Sequence, residues 1–303
     1  MMTYETDKID VKKASRTEQK ERIGRMWRRF KQNTLSVVGL GIVGIVVAVA
    51  IFAPVIAPYP ASATTGEIIF ERMSQGPSLQ HPMGTDPLGR DIFSRVLFGT
   101  RYALLMALTV LSIVCTVGVL TGLFAGFIGG WIGDTIMRIA DIFVSVPPIL
   151  MAIAVTAILG PSLTNAMVAI AFSWWPWYTR LTQSEVISLK EEEFVEASVA
   201  LGANWYHIMF KELLPNLVSV ITVKLTLDVG FVILTGAALA FLGLGAQPPT
   251  PTWGAMISQG RENVTTMWWI ATFPGLAISF TVLGFNLLGD GLRDMLDIEE
   301  VQR

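Results

Sequence analysis

Six long apolar runs organise the sequence, and each is long enough to cross a lipid bilayer as a helix. They cover about residues 35–57, 102–127, 136–159, 163–189, 217–244 and 267–288. The hydrocarbon core of a bilayer is about 30 Å thick, and a helix of about 20 apolar residues spans it. Only 15% of the 303 residues are charged, whereas soluble domains carry roughly 25%. The sequence therefore predicts an all-α membrane protein with six transmembrane helices.

The polar stretches between these runs set the predicted orientation. The first 34 residues carry ten Lys and Arg side chains, and the positive-inside rule places such a stretch in the cytoplasm. A cleavable signal peptide is the alternative, because Ala61-Ser62-Ala63 resembles a cleavage site. However, the basic region and the apolar run are both longer than those of a signal peptide. The first run is therefore interpreted as a retained span.

The span count divides the chain into five parts. We predict a cytoplasmic tail over 1–34, a first transmembrane helix over 35–57, an extracytoplasmic loop over 58–99, a five-helix core over 100–289 and a cytoplasmic tail over 290–303. Within the loop, the Gly- and Asp-rich residues 81–101 predict turns followed by a short helix.

The composition excludes several kinds of function. A net charge of −2 gives no reason to expect a nucleic-acid partner. Cys115 is the single cysteine, so no intrachain disulfide can form, and His81 and His207 lie too far apart to suggest a metal site. The sequence has no G-x-x-x-x-G-K-[ST] phosphate-binding loop and no recognisable catalytic set. We therefore expect neither an enzyme nor a bound cofactor or metal.

Two features of the spans concern packing between helices. Gly118, Gly122 and Gly126 recur every four residues, which places them on one helix face. Small residues at this spacing let helix backbones approach closely in lipid, although glycines are also frequent in spans without a packing role. In the third run, Pro147-Pro148 predicts a kink, because proline breaks the hydrogen-bond ladder of a helix.

A few polar and aromatic residues inside the spans are candidates for a transport pathway. Lys224 and Asp228 are four residues apart in the fifth run, so they share a face and can pair. Buried charges in spans are expensive and mark the bundle interior or a wet cavity. The pair is either structural or part of the pathway, and our hypothesis is that Asp228 faces the pathway. Trp174 and Trp177 in the fourth run either pack the bundle or line the pathway.

Residues 190–216, KEEEFVEASVALGANWYHIMFKELLPN, form a polar and helix-prone stretch between the fourth and fifth runs. Glu191–Leu201 has good helix formers with acidic residues at its start, which suits the helix dipole. Gly202 is expected to end this helix, Asn204 to cap the next one and Pro215 to close the stretch. A solvated linker and a docking surface for a partner both fit these features.

Part of this stretch resembles a known signature. Glu196-Ala197-Ser198, Gly202 and Leu214-Pro215 resemble the EAA signature of ABC importer permeases, E-A-A-x3-G-x9-I-x-L-P. This sequence has Ser198 in place of the second Ala and Glu212 in place of the Ile. The resemblance favours a docking surface over a linker.

Further stretches are similar to the second, or C-type, permease of dipeptide, oligopeptide and nickel importers. They are RRFKQNTLSVVGLGIV (28–43), MGTDPLGRDIFSRVLFGTR (83–101), FLGLGAQPPTPTWGAMI (241–257) and LLGDGLRDMLD (287–297). They occur in order, each beside the expected span, so the resemblance covers about residues 25–297.

The resemblance implies the type I ABC importer permease fold, with cytoplasmic coupling helices, in a prokaryotic plasma membrane. It implies three kinds of partner: a homologous permease that completes a heterodimer, two ATPase subunits that bind ATP and Mg, and an extracytoplasmic solute-binding protein. The expected cargo is a di- or oligopeptide, with oligosaccharides or nickel as alternatives. An ATP-independent six-helix carrier or channel is the competing class of transporter.

Three groups of residues are expected to carry these roles, and none is expected to be catalytic. Coupling to the ATPases is expected at Glu193, Glu196, Ala197, Ser198, Gly202 and Pro215. Docking of the binding protein is expected on the outer segments 58–99 and 245–266, with Asp86, Arg90, Asp91 and Trp253. The pathway is expected to include Lys224, Asp228, Trp174 and Trp177.

Overall fold

The structure is a computed structural model that describes residues 24, 27, 28 and 30–300, with the backbone alone for 297–300. Most of the predicted N-terminal tail, 1–34, and residues 301–303 of the C-terminal tail lie outside the described residues. Helices joined by loops make up most of the described part. The predicted all-α class is confirmed.

The helices of the described residues differ widely in length. In chain order they are α1 (Thr34–Ile56), α2 (Pro60–Thr64), α3 (Ile92–Ile128), α4 (Gly130–Val144), α5 (Pro148–Leu159), α6 (Leu163–Leu189), α7 (Glu193–Ala200), α8 (Trp205–His207), α9 (Leu214–Phe241), α10 (Trp253–Gly260) and α11 (Trp269–Glu300). A π-helix, Ile208–Leu213, joins α8 to α9, and single 3-10 turns occupy Phe70–Arg72 and Arg261–Asn263.

Among the described residues, four helical stretches are long and apolar enough to cross a membrane by themselves. They are Thr34–Ile56, Ile92–Ile128, Trp205–Phe241 and Trp269–Leu296. α4 and α5 count as a fifth if they form one span, with a bend of 85° between them. α6 has 27 residues, which corresponds to about 40 Å, and supplies the sixth helix of bundle length. This set agrees with the six predicted transmembrane helices.

The bend in the third predicted span, 136–159, falls at Pro147-Pro148. α4 ends at Val144 and α5 begins at Pro148. Proline suits the first position of a helix, because the N–H that it lacks would have no partner there. The predicted kink is therefore a full break between two helices rather than a bend within one.

α3 begins at Ile92, well before the predicted second span, 102–127. The Asp91 carboxylate accepts a hydrogen bond from the N–H of Ser94 at 2.7 Å, which caps this early start. The predicted short helix and the predicted span are therefore one helix. The predicted boundary between the outer loop and the core, at 99/100, falls inside it.

α11 extends beyond the predicted sixth span, 267–288, and ends at Glu300. Much of the predicted tail, 290–303, is therefore helical. Asn33, at the start of α1, donates a hydrogen bond from Nδ2 to Asp294 Oδ2 at 3.0 Å. This hydrogen bond joins the C-terminal part of α11 to the start of α1.

α3 and α6 form the most extensive helix contact of the described chain, and the predicted glycine face lies at its centre. A Cβ atom at Gly122 would lie 2.7 Å from the Cβ of Thr182, and one at Gly126 would lie 2.8 Å from the Cβ of Val186. Gly118 faces α6 in the same way. The predicted close approach of helices at these glycines is confirmed.

The two ends of the bundle carry different segments. Lys190 Nζ donates to the carbonyl of Phe127 at 2.9 Å, so segment 190–216 lies at the C-terminal end of α3. Trp253 Nε1 donates to the carbonyl of Val96 at 3.0 Å, so α10 lies at the N-terminal end of α3. α3 has 37 residues and is about 55 Å long. The two segments therefore lie at opposite ends of the bundle.

Candidate functional site

Segment 190–216 folds as two helical parts on either side of a glycine turn. The first part is α7, Glu193–Ala200. Gly202 follows it with a φ of +81°, a left-handed conformation that glycine adopts without steric cost. Asn204 accepts a hydrogen bond from the N–H of His207 at 2.8 Å and caps the second part. The predicted helix end and the predicted cap are both confirmed.

α7 turns a narrow face towards the bundle and exposes the rest. Val195 is buried and Ser198 is half-buried. The exposed side chains of α7 and the next residue are called the outward face: Glu193, Phe194, Glu196, Ala197, Val199, Ala200 and Leu201. Leu201 is 89% exposed. Apolar side chains clustered in the open among carboxylates mark an interaction surface.

The second helical part begins with two exposed aromatic residues. Trp205 and Tyr206 are 58% and 56% exposed. Their rings stand edge to face with centroids 6.1 Å apart. Exposed aromatic rings are typical anchors in protein interfaces, so they extend the interaction surface beyond Gly202.

Pro215 lies inside a continuous helix, Trp205–Phe241, so the prediction that it closes the segment is wrong. Proline donates no N–H, and its ring crowds the carbonyl of the residue four positions earlier, Lys211. The π-helix Ile208–Leu213 comes directly before Leu214, and its wider turn accommodates both effects. The second helical part, which begins at Trp205, therefore continues into α9 as one rod.

Lys224 and Asp228 form the ion pair expected from their spacing. Lys224 Nζ lies 2.7 and 2.8 Å from the two carboxylate oxygens, and Trp174 Nε1 donates to Asp228 Oδ2 at 3.3 Å. Asp228 is 1% exposed, whereas 33% of the Lys224 side chain is exposed. The burial of Asp228 contradicts the hypothesis that it faces an open pathway. Lys224 is the member of the pair that reaches the surface.

The two candidate tryptophans of α6 have different surroundings. Trp174 lies beside the ion pair, and its ring centroid is 6.0 Å from that of Phe231. Trp177, three residues further on, is 42% exposed. Trp174 therefore packs the bundle, whereas Trp177 keeps the free surface that a pathway requires.

The sequence matches known families over most of its length. Residues 118–298 match the family described as the binding-protein-dependent transport system inner membrane component. The chain belongs to this family. Residues 22–77 of the permease also match the N-terminal transmembrane domain of oligopeptide transport permease C. The C-type resemblance drawn from the motifs is confirmed.

Known bacterial relatives resemble the permease along most of both chains. It is 44% identical to the glutathione transport system permease protein GsiD of Escherichia coli O157:H7 and 46% identical to the dipeptide transport system permease protein DppC of Alkalihalophilus pseudofirmus. Each match covers 89% of this chain and 88% of the relative. A solved structure of the MetNI methionine ABC transporter in inward-facing conformations matches with a TM-score of 0.49 and 20% identity, over 65% of this chain and 96% of that chain.

The four residues predicted to dock a binding protein are buried in the permease. Asp86, Arg90, Asp91 and Trp253 keep only 0, 3, 1 and 4% of their surface exposed. Side chains so deeply buried offer no surface to a partner. The prediction that they touch the binding protein directly is therefore wrong, and their contacts show a different role.

Asp86 is the centre of a buried ionic network in the loop before α3. Its carboxylate accepts hydrogen bonds from the N–H groups of Leu88 and Arg90, both at 2.9 Å, and from Arg90 Nε at 2.7 Å. Arg95 Nη1 lies 3.6 Å from the same carboxylate. Buried charges are tolerated when they are paired and hydrogen-bonded, so the network holds the loop in one shape.

Asp91 extends this ordered region towards α1. Its Oδ1 lies 2.8 Å from Nδ1 of His81, while its other oxygen caps α3. The ring of Tyr59, just after α1, lies 4.8 Å from the His81 ring. These contacts tie α1, the loop and α3 together.

Two buried tryptophans join α10 and the start of α11 to the first turns of α3 and the loop before it. Trp253 donates its hydrogen bond to Val96 and packs against Gly99, where a Cβ atom would lie 2.6 Å from the indole nitrogen. Trp269 donates from Nε1 to the carbonyl of Thr85 at 3.0 Å. The structure thus unites the two predicted outer segments in one surface.

Trp253→Phe is expected to lower the free energy of unfolding of the permease by about 1–2 kcal/mol, because a buried hydrogen bond and part of a buried ring are lost. Denaturant unfolding in detergent measures the change. Trp268→Phe is the matched control, since Trp268 is 48% exposed, and its effect is expected to stay within about 0.5 kcal/mol. Equal effects of the two substitutions would contradict the role of Trp253.

Sequence reasoning missed two contacts of segment 190–216 in the permease. Lys190 binds the C-terminal carbonyls of α3, and no sequence pattern indicates which helix end lies beside it. Ser198 Oγ donates to Glu212 Oε1 at 2.6 Å. The sequence did contain a signal for the second contact, because Ser198 and Glu212 are the two residues that depart from the EAA signature.

No metal site was found in the part of the permease that the structure describes, where no three His, Cys, Asp or Glu side chains are placed to share an ion. His81 Nδ1 is paired with the Asp91 carboxylate, and His207 Nε2 lies 3.5 Å from Glu212 Oε1. Cys115 is a free, partly buried thiol.

Proposed function

We propose that this chain is one of two permease subunits of an ATP-driven, binding-protein-dependent importer in a prokaryotic plasma membrane. It forms half of the translocation pathway for di- and oligopeptides. The observation that carries the proposal is the outward face, which exposes apolar side chains and carboxylates beyond the end of α3. The family membership and the relatives named for glutathione and dipeptide transport support the class of cargo.

The proposal orients the two ends of the bundle. Segment 190–216, which carries the outward face, lies in the cytoplasm together with the start of α1 and the end of α11. The loops around α2 and α10 lie on the extracytoplasmic side. The ten basic residues before the first span support this orientation. The first span is 35–57 in this proposal, and α3 to α11 form the permease core.

Two ATPase subunits, which bind ATP and Mg, supply the driving force by acting on the outward face. Glu193, Glu196 and Ala197 are exposed there and contact the ATPases. Gly202 and Pro215 determine the shape of segment 190–216. Gly202 ends α7, and Pro215 lies at the start of α9. α7 is joined to α6 by three residues and continues through the glycine turn into α9, so its movement shifts both spans as rigid bodies.

The solute-binding protein docks at the opposite end. The Asp86 network and the two buried tryptophans hold the receiving loops in shape. Exposed apolar side chains on the same loops make the contacts, among them Phe70 at 77% and Leu79 at 104% exposure. Such side chains gain from burial against a partner.

The pathway lies between this permease and a homologous second permease. Lys224 and Trp177 keep exposed surface and line it. Asp228 and Trp174 are in contact with each other behind Lys224 and hold its ammonium group in place. This assignment divides the four candidate residues into two that face the cargo and two that support them.

The cargo class is tested on the binding protein of the system, which selects the cargo. A thermal-shift screen with di- and oligopeptides, glutathione, oligosaccharides and Ni²⁺ is expected to show stabilisation by a peptide. A ligand at 100 times its Kd stabilises a protein by about 2.7 kcal/mol, which such a screen detects. Stabilisation by a sugar or by Ni²⁺ alone would contradict the peptide assignment.

Leu201→Asp in the outward face is expected to release the ATPase subunits. Burying a leucine contributes about 1.5–3 kcal/mol, so its loss lowers affinity about tenfold to a hundredfold. The measurement is the amount of ATPase that co-purifies with a tagged permease. Leu79→Asp is the matched control, because Leu79 is fully exposed at the opposite end, and it is expected to retain the ATPases.

Equal retention by the two variants would contradict docking at the outward face. Uptake into vesicles that contain no ATPase subunit, and that needs no ATP, would instead identify a carrier or channel.

A further inference from the structure

We propose that Ser198 and Glu212 form a strut that fixes the outward face relative to α9 and so transmits ATPase movement to that span. The inference rests on the proposed function, because it assigns a role within ATPase coupling. Both are positioning residues, since Ser198 lies on the inward side of α7 and Glu212 lies beyond the glycine turn.

The strut is a short, charge-assisted contact. Ser198 Oγ donates to Glu212 Oε1 at 2.6 Å, and His207 Nε2 lies 3.5 Å from the same oxygen. The Glu212 side chain is 15% exposed, so water competes little for the contact. Hydrogen bonds to ionised acceptors are shorter and stronger than those between neutral groups.

α7 has few inward contacts, so the strut largely determines its orientation. Among the residues of α7, only Val195 is buried and only Ser198 is half-buried. Val195 packs into the apolar core, but apolar packing is non-directional. A hydrogen bond prefers a narrow range of angles. The strut therefore limits rotation of α7 about the Val195 contact.

Glu212 links the strut to the transmembrane part of the chain. It lies in the π-helix Ile208–Leu213, directly before α9. Its carbonyl accepts a hydrogen bond from Asn216 Nδ2 at 2.6 Å, which ties it to the first turn of α9. A displacement of α7 thus reaches α9 through one side chain, and not only through the backbone turn at Gly202.

The pairing gives a physical reason for two departures from the signature in one chain. Removing one partner of a buried hydrogen bond leaves the other unsatisfied, whereas replacing both by apolar groups is nearly neutral. Within the described residues, Glu212 Oε2 is already buried without a hydrogen-bond partner. Loss of the Ser198 hydroxyl would leave Oε1 with only the distant His207.

The test uses the complete importer in vesicles, with uptake of a labelled dipeptide and ATP hydrolysis measured on the same preparation. Ser198→Ala is expected to lower uptake per ATP hydrolysed by about tenfold, while the ATPases still co-purify. Ser198→Thr keeps the hydroxyl and is expected to keep the wild-type ratio. Ser198→Ala combined with Glu212→Ile removes both partners, so it leaves no unsatisfied carboxylate but also no strut; it is expected to keep the low ratio while its unfolding midpoint stays close to that of the wild type.

An unchanged ratio in Ser198→Ala would overturn the inference, and so would a double variant that recovers the wild-type ratio without the hydrogen bond. Either result leaves the proposed function intact as long as the wild-type permease retains the ATPases. A wild-type permease that does not bind the ATPases would instead overturn the proposed function.

Discussion

Gly122→Leu is expected to remove most of the folded permease. A Cβ atom at this position already approaches the Thr179 carbonyl oxygen and lies 2.7 Å from the Cβ of Thr182. Leucine would therefore push α3 away from α6 along their whole contact. Overpacking costs about 1–3 kcal/mol and occasionally more, and we expect the upper end because the obstacle includes backbone. The measurements are the yield of monodisperse permease and its thermal unfolding midpoint in detergent.

Gly44→Leu is the matched control for this substitution. Gly44 lies in α1, and no atom of another described helix or loop would lie within 4 Å of a Cβ atom there. Its yield and midpoint are expected to equal those of the wild type. Gly122→Ala is expected to fall between the two. A Gly122→Leu permease that behaves like Gly44→Leu would show that the glycine face does not determine the α3–α6 contact.

Lys224→Met is expected to destabilise the permease strongly, because it removes the counter-ion of a carboxylate that is 1% exposed. Breaking a buried ion pair in this way costs about 3–5 kcal/mol. The Trp174 indole remains as a donor to Asp228 at 3.3 Å, but one neutral donor compensates little of a buried charge. The unfolding midpoint of the purified variant measures the effect.

Lys224→Met combined with Asp228→Asn separates stability from transport. Asparagine keeps an oxygen for Trp174 and removes the charge, so stability is expected to return close to that of the wild type. Uptake is expected to stay low, because the proposed pathway has lost its exposed ammonium group. Full uptake by a stable double variant would assign the pair a purely structural role.

The fold was predictable where length and hydropathy coincide with clear end signals. α6 has the predicted bounds, because Ser162 caps its start and the chain turns polar after Leu189. α3 was predicted to begin too late, since its first turns were assigned to a separate short helix within the outer loop. Most of their side chains are buried, and such tertiary burial leaves no periodic signal in a single sequence.

The candidate site was predictable where the signal is local. The helix end at Gly202 and the cap at Asn204 depend on neighbouring residues only. Asp86, Arg90 and Asp91 were predicted to dock the binding protein, a role that requires exposed side chains. Their burial depends on long-range contacts, such as the hydrogen bond from Arg90 to Gln259 at 3.3 Å.

The length of α3 has a consequence for how a partner is received. At about 55 Å it exceeds the hydrocarbon core of about 30 Å even when tilted, so one or both of its ends project from the bilayer. Its first turns are enclosed by the Asp86 network, Trp253 and Trp269. These contacts make this end of α3 a preorganised platform rather than a set of loops that order on contact. The platform itself loses little conformational entropy when a protein binds there, so even a small contact area suffices for a transient complex.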